Sequence, residues 1–203
     1  CIKIIIFLNT FIKNIYQNEY FGIELNKTGY YEKDIDAVLA QATTQEDKAL
    51  AVFNHVKSTM NWNKYYGYYC NDGVRKAYLN KIGNVAEINL MLTSMLRYAG
   101  FDANPIILST RGNGIAVFPA RTAFDYVIVG LKYNNQMILL DATSKYALPN
   151  ILPIRDLNWF GRLIRKDGTS TEVNLTPTNI STEINNLQVT LDNKGGIIGK
   201  VRT

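Results

Sequence analysis

The chain has 203 residues, of which 47% are hydrophobic and 19% charged, enough for one globular domain with a substantial core; this excludes a disordered or fibrous protein. No apolar run reaches the ~20 residues of a membrane-spanning helix. Two cysteines and one histidine argue against a disulfide-rich scaffold and a Cys/His zinc site. The net charge of +5 comes from scattered Lys and Arg side chains, which argues against a nucleic-acid-binding protein.

The N-terminal segment is unusually apolar. Cys1 precedes the run Ile2 to Leu8, which is typical of a buried strand or helix truncated from a longer chain. A signal-peptide tail or a lipidated cysteine is an alternative interpretation, but truncation is the simpler one. We expect residues 1–36 to form an N-terminal extension of the domain, truncated from a preceding domain.

A helix is predicted to begin after Thr44. Apolar residues recur at three- and four-residue spacing on one face, namely Ala49, Val52, Phe53, Val56 and Met60. Thr44 and Asp47 have the spacing of a capping pair. The single histidine, His55, lies off this apolar face, and we expect it to point to solvent.

A tyrosine-rich stretch runs from Trp62 to Tyr69, and a short helix is predicted from Asp72 to Asn80. Aromatic clusters of this kind bind sugars or peptides in some proteins. Packing explains them more often, with the tyrosine hydroxyls hydrogen-bonded to backbone groups.

The most apolar helix is predicted from Val85 to Gly100. Asn84 is a favourable N-cap, Glu87 lies three residues further on as in a capping box, and Gly100 is a natural stop. Because most of its circumference is apolar, this helix is predicted to lie in the middle of the fold.

Three strands are predicted after this helix. They run from Pro105 to Thr110, from Ala123 to Leu131 and from Gln136 to Asp141, with a loop over Phe118 to Thr122 and a turn at Asn134-Asn135. Short turns favour antiparallel pairing. The fold class predicted is therefore α+β, with a buried central helix packed on an antiparallel sheet.

The C-terminal residues differ in composition. The segment from Arg162 to Ser181 is polar, and Leu187 to Val201 is typical of a hairpin around residues 193–196. We therefore divide the chain into an extension (1–36), a core (37–161) and a linker with the start of a further β domain (162–203).

The order of these elements resembles the transglutaminase-like superfamily, which has a papain-type fold. The motifs that carry the resemblance lie in order between about residues 45 and 160: Gly83-Asn84-Val85, Met95-Leu96-Arg97-Tyr98-Ala99-Gly100, Ala103-Asn104-Pro105, Phe124-Asp125-Tyr126 and Leu140-Asp141-Ala142-Thr143. More narrowly, the chain resembles the central domain of multi-domain bacterial envelope proteins, on Lys27-Thr28-Gly29-Tyr30, residues 73–78, residues 157–162 and the C-terminal hairpin. That resemblance implies export to the periplasm or cell envelope, with flanking β domains of the same chain as partners.

In this family a cysteine in the first turn of the buried helix attacks an acyl substrate, a histidine on the next strand is the base, and an aspartate orients the histidine. Carried over by motif, these positions are Val85, Tyr126 and Asp141. Valine has no nucleophilic atom, and a tyrosine is a poor base at neutral pH because its ordinary pKa is about 10. The resemblance thus implies a catalytically degenerate domain without a cofactor, retained for binding or scaffolding.

The degenerate cleft is expected to bind a peptide or glycan through Trp62, Tyr126 and Asp141. Two alternatives stay open: a thiol hydrolase or acyl-transferase that uses Cys70 with His55, and a structural spacer that binds nothing. A metal site is not predicted, because Glu32, Asp34 and Asp36 lack the ligand number and glycine of a calcium loop.

Overall fold

The fold is described from a computed structural model of the chain. The structure describes residues 2–116, 120, 122–177, 182 and 184–202, with side chains from Thr10 onwards. The helices are α1 (Ile2–Gln17), α2 (Glu32–Leu39), α3 (Gln45–Thr59), α4 (Val74–Asn80) and α5 (Val85–Tyr98), with a π-helical turn at Glu19–Ile23 and a 3-10 turn at Ile154–Asp156. The strands are β1 (Asn61–Trp62), β2 (Ile82–Gly83), β3 (Asp102–Leu108), β4 (Tyr126–Tyr133), β5 (Gln136–Leu140), β6 (Phe160–Ile164), β7 (Ser170–Asn174), β8 (Asn186–Leu191) and β9 (Ile197–Arg202).

Helix α5 is the buried central helix that the sequence predicts. Asn84 accepts a hydrogen bond from the Glu87 amide at 2.8 Å, and the Glu87 carboxylate accepts one from the Asn84 amide at 2.7 Å, which completes the predicted capping box. Every residue from Val85 to Leu96 is buried. Helix α3 begins with the predicted Thr44–Asp47 capping box.

A five-stranded antiparallel sheet packs against α5 through β3 and β4. Its strand order is β5-β4-β3-β6-β7. The predicted α+β fold class is therefore confirmed. Strand β4 begins at Tyr126 rather than Ala123, because the Asp125 side chain accepts hydrogen bonds from the Thr110 amide and hydroxyl and holds the chain in a turn before the strand. The predicted loop at Phe118 falls partly outside the described residues.

The sheet continues beyond Gly161, where the sequence predicts a polar linker. There β6 pairs with β3 and β7 pairs with β6, so that these two strands extend the sheet. Buried Leu163 and Ile164 anchor β6, while β7 is an edge strand whose outward side chains are polar. The strands approach so closely at Gly161 that a Cβ there would lie 2.6 Å from the Ile106 side chain.

The N-terminal helices contribute to the same core as α5. Between residues 10 and 36, the side chains buried in that core are Ile12, Ile15, Phe21, Leu25, Tyr31 and Ile35. The apolar segment after Cys1 is helical, while Cys1 itself lies outside the described residues. None of the described helices is long and apolar enough to cross a membrane.

The predicted C-terminal hairpin is confirmed. Strands β8 and β9 pair antiparallel, with Asn186 opposite Arg202, and all their residues are exposed. A two-stranded ribbon with no buried face is only marginally stable alone. Its role as the start of a further β domain, and the domain boundaries at residues 36 and 161, stay predictions.

Candidate functional site

The candidate site lies where the N-terminus of α5 meets the ends of β4 and β5. Val85 is the first residue of α5, Tyr126 is the first residue of β4, and Asp141 directly follows β5. All three side chains are fully buried, at 0% exposure. The Tyr126 hydroxyl donates a hydrogen bond of 3.0 Å to Oδ2 of Asp141.

Asn89 on α5 holds Asp141 in place. Its Nδ2 donates to Oδ1 of Asp141 at 2.9 Å and to the Val127 carbonyl at 2.9 Å, while its Oδ1 accepts from the Ala142 amide at 3.0 Å. One buried amide thus fixes the helix, strand β4 and the Asp141 turn relative to one another. Sequence reasoning missed Asn89, although a lone amide on an otherwise apolar helix was a usable signal.

Arg155 was also missed, and it is the cation of the site. Its Nη2 donates to Oδ2 of Asp141 at 3.2 Å and to the Thr143 hydroxyl at 2.7 Å, and both Nε and Nη2 lie within 3.1 Å of the Tyr126 hydroxyl. Its guanidinium carbon lies 4.7 Å from the centre of the Trp62 ring and 5.4 Å from that of Tyr126. No local pattern marks Arg155, which lies in the 3-10 turn after the last predicted core strand.

Asp156 is a second buried acid beside Asp141. Its side chain is 0% exposed, and neither oxygen has a hydrogen-bond partner among the described residues; the cation nearest to it is Arg155, with Nε at 3.6 Å. Burial, and then the neighbouring Asp141, raise the pKa of Asp156 to about 9. Asp156 is therefore protonated at neutral pH.

The tyrosine-rich stretch covers this polar cluster. Tyr66 packs edge-on between Trp62, at 5.5 Å between ring centres, and Tyr126, at 5.6 Å. The Tyr65 carbonyl accepts hydrogen bonds from the Trp62 indole at 3.1 Å and from the Val85 amide at 3.3 Å. The predicted binding residues Trp62, Tyr126 and Asp141 therefore converge, and Val85 is connected to them through residues 62–66.

The protonation of Tyr126 suits a donor rather than a base. Burial, and then the charge of Asp141, raise the pKa of Tyr126 well above its ordinary value. The phenol therefore stays neutral at physiological pH, where it donates to Asp141 and accepts from Arg155.

His55 and Cys70 occupy different environments. The expectation that His55 points to solvent is wrong: its ring is partly buried, and Nε2 lies 3.1 Å from the Tyr78 hydroxyl, so that burial lowers the pKa of His55. Cys70 is buried, and desolvation followed by the charges of Glu87 and Glu24 raises the pKa of its thiol. No hydrogen bond joins Cys70 to His55 among the described residues.

The amides next to Cys70 are already occupied. Oε1 of Glu87 accepts hydrogen bonds from the backbone amides of residues 71, 72 and 73 at 3.1, 2.6 and 3.0 Å. Backbone amides at the start of a helix would otherwise stabilise a thiolate. This geometry keeps Cys70 in its neutral thiol form.

The carboxylates considered for a calcium loop bind local donors instead. Glu32 accepts from Thr28, Asp34 from Tyr78 and Asp36 from Tyr98. Within the described residues, no group of three or more His, Cys, Asp or Glu side chains could hold a metal ion.

Sequence and structure comparisons relate the chain to known proteins. The sequence model of the transglutaminase-like superfamily matches residues 33–134, half of the chain. A solved structure from Parabacteroides distasonis, described as a "putative protease", is similar with a TM-score of 0.54 and 17% identity over 84% of this chain and 31% of that chain. A weaker likeness, with a TM-score of 0.42 and 11% identity over 62% of this chain and 43% of that chain, is to a "putative cysteine protease" from Cytophaga hutchinsonii.

No curated protein matches the chain. The chain spans less than half the length of both solved proteins. At 17% identity, the first likeness shows a shared fold.

Proposed function

This chain belongs to the transglutaminase-like superfamily, and from that premise we propose that it is a catalytically degenerate member that acts as a binding or scaffolding module within a larger envelope protein. In this proposal Val85 occupies the nucleophile position, Tyr126 the base position and Asp141 the position of the orienting acid. The flanking β domains of the same chain are its proposed structural partners. A peptide or glycan is the proposed ligand of the vestigial cleft.

The observation that carries the proposal is the saturation of Asp141. Its Oδ1 accepts from Asn89 and the Thr143 amide, and its Oδ2 accepts from Tyr126, the Thr143 hydroxyl and Arg155. An acid in a catalytic triad must instead keep one oxygen for the imidazole that it orients. Here the Tyr126 phenol and the Arg155 guanidinium donate to that oxygen, an arrangement that fixes the position of the Asp141 carboxylate.

The backbone at the start of α5 supports the same proposal. A reacting acyl group needs free amides that point at its developing oxyanion. The Val85 amide instead donates to the Tyr65 carbonyl at 3.3 Å. Residues 62–66 therefore close the end of the cleft where acyl chemistry would take place, and leave its aromatic rim for binding.

The alternative is an active thiol hydrolase or acyl-transferase that uses Cys70 with His55. It requires an accessible thiolate near its base. Burial of Cys70, the raised pKa of its thiol and the engagement of His55 with Tyr78 all favour the binding module over this alternative.

Two tryptophans allow a direct test of binding. The Trp62 indole lies in the candidate cleft, whereas Trp159 packs against Phe160 and provides an internal reference. We expect a panel of short peptides and oligosaccharides to contain a ligand that shifts the indole ¹H–¹⁵N resonance of Trp62 and leaves that of Trp159 in place. A Trp159→Phe variant assigns the two signals. If no compound moves the Trp62 signal, the cleft is not a binding site and the structural spacer becomes the better interpretation.

A further inference from the structure

We propose that the protein surface beside Trp62 binds the carboxylate group of a peptide, and that Arg155 and Lys64 are the residues that recognise it. This inference rests on the proposed function of the domain as a binding module, and it adds the chemical class of the ligand. The relevant features are an unused edge of the Arg155 guanidinium, a second cation over the Trp62 ring, and the distribution of charge around them.

Arg155 has hydrogen-bonding capacity to spare. Its Nε and Nη2 make the bonds to Tyr126, Asp141 and Thr143, whereas Nη1 has no hydrogen-bond partner among the described residues. The side chain is 25% exposed. Since Nη1 has no partner in the described part of the chain and is not a buried atom, solvent reaches this nitrogen. The guanidinium is therefore fixed on its inner edge and open on its outer edge, which is the preorganisation that anion binding requires.

Lys64 brings a second cation to the Trp62 ring. Its Nζ lies 4.6 Å from the centre of the Trp62 ring, and the Arg155 guanidinium carbon lies 4.7 Å from it. Lys64 has a φ of 72°, which is unfavourable for a residue with a Cβ. The turn that imposes this conformation is held by the Asn63 side chain, which accepts from the Tyr65 amide at 3.0 Å. Strained backbone of this kind is concentrated at ligand sites.

The charge that faces solvent in this region is positive. Asp141 and Asp156 are fully buried, and Asp156 carries a proton at neutral pH because its pKa is raised to about 9, chiefly by burial. Asp125, the remaining acid near them, has its carboxylate bound to the amide and hydroxyl of Thr110. Of the described acids that act on this cluster, these three are buried or bound, whereas Lys64 and Arg155 both lie over the Trp62 ring.

The geometry favours a carboxylate over an uncharged sugar. Sugars bind by stacking on a free aromatic face, and the Trp62 ring is already in contact with two cations. A planar guanidinium and a carboxylate match in shape and charge, so that the open edge of Arg155 selects this group. The exposed edge of Tyr66 beside Trp62 is then free to contact the rest of a peptide.

The test uses three matched peptides and the Trp62 indole resonance. N-acetyl-Ala-Ala-Ala presents a terminal carboxylate, N-acetyl-Ala-Glu-Ala-amide presents a side-chain carboxylate, and N-acetyl-Ala-Ala-Ala-amide presents neither. At least one acidic peptide is expected to bind about tenfold or more tightly than the neutral amide, the ratio that one charge-assisted hydrogen bond supports. The acidic peptide that binds more tightly than the neutral amide shows whether the terminal or the side-chain carboxylate is recognised.

Variants separate recognition from folding. Arg155→Lys keeps the charge and loses the planar edge, and Lys64→Ala removes the outer cation without touching the buried cluster; each is expected to reduce the preference for the acid several-fold. Lys81→Ala is the matched control, because Lys81 also has a positive φ, of 58°, and also lies over an aromatic ring, but at Tyr78. This control is expected to change nothing.

The outcomes distinguish this inference from the proposed function. If the neutral peptide or a glycan binds as tightly as the acids, or if neither variant alters the preference, the carboxylate site is refuted while the binding module stands. If none of these peptides and no glycan moves the Trp62 resonance, both are refuted.

Discussion

Replacing Asp156 with asparagine removes a buried ionisable group while its shape is kept. The carboxyl is fully buried, and as an anion it has no hydrogen-bond donor among the described residues. Burial, and then Asp141, raise its pKa to about 9, whereas an unfolded chain releases this proton near pH ~4. Between these two pH values the unfolded state loses the proton and the folded state keeps it. The contribution of Asp156 to stability is therefore fully present below pH ~4 and decreases as the pH rises towards 9.

The slope of this effect is about 1.4 kcal/mol per pH unit for one proton. From pH 5 to 8 the free energy of unfolding would change by about 4 kcal/mol. Coupling of Asp156 to Asp141 and to Arg155, 3.6 Å away, reduces the expected change to about 2–4 kcal/mol. Asparagine does not titrate. The Asp156→Asn variant is thus expected to gain stability relative to the wild type, by roughly that amount, as the pH is raised.

Urea unfolding followed by tryptophan fluorescence at pH 5, 6, 7 and 8 measures this difference. The two unfolding free energies should diverge steadily with pH. Asp167→Asn is the control, since Asp167 is exposed and hydrogen bonds from Thr169 lower its pKa, so that no such divergence is expected for it. Parallel pH curves for wild type and Asp156→Asn would refute the protonated buried acid.

Three further predictions follow from the same contacts. Asn89→Ala leaves a buried oxygen of Asp141 without one of its donors, and it should lower the free energy of unfolding by about 2–4 kcal/mol in urea. A change below about 0.5 kcal/mol would contradict the stabilising role of this hydrogen bond. Glu87→Gln weakens three backbone hydrogen bonds and the capping box, so a loss of about 1–3 kcal/mol is expected by the same assay, and an unchanged midpoint would be evidence against it. In a Cys1→Ser background, Cys70 should react with iodoacetamide at neutral pH more slowly than free cysteine until urea unfolds the protein, because burial raises the pKa of its thiol; mass spectrometry measures the rate, and fast labelling of the folded protein would revive the thiol-enzyme alternative.

The parts of the fold that the sequence predicts are those with local signals. The capping boxes at Thr44 and Asn84 and the C-terminal hairpin each depend on residues within a few positions of one another. Strands β3, β4 and β5 are predictable because their apolar content is high, and a tight turn connects β4 to β5. Tyr126 and Asp141 were identified through their motifs rather than through any contact that the sequence displays.

The parts that the sequence does not predict depend on contacts between distant segments. Arg155 reaches Asp141 only because the 3-10 turn is folded back against the end of the sheet, and nothing near Arg155 in the sequence marks that placement. His55 lies off the apolar face of α3, but Tyr78 from α4 covers it. Strand β7 is polar because it is an edge strand, and polarity alone cannot distinguish such a strand from a linker.

In the proposed function, the domain binds a ligand without catalysing acyl transfer. The most direct test incubates the purified protein with a peptide mixture and a primary amine and searches for hydrolysed or amine-coupled products by mass spectrometry. A binding module should yield product only at the level of the protein-free blank, and the Cys70→Ser and Tyr126→Phe variants should give the same level. Turnover above the blank that either substitution abolishes would contradict it and would make this domain an enzyme.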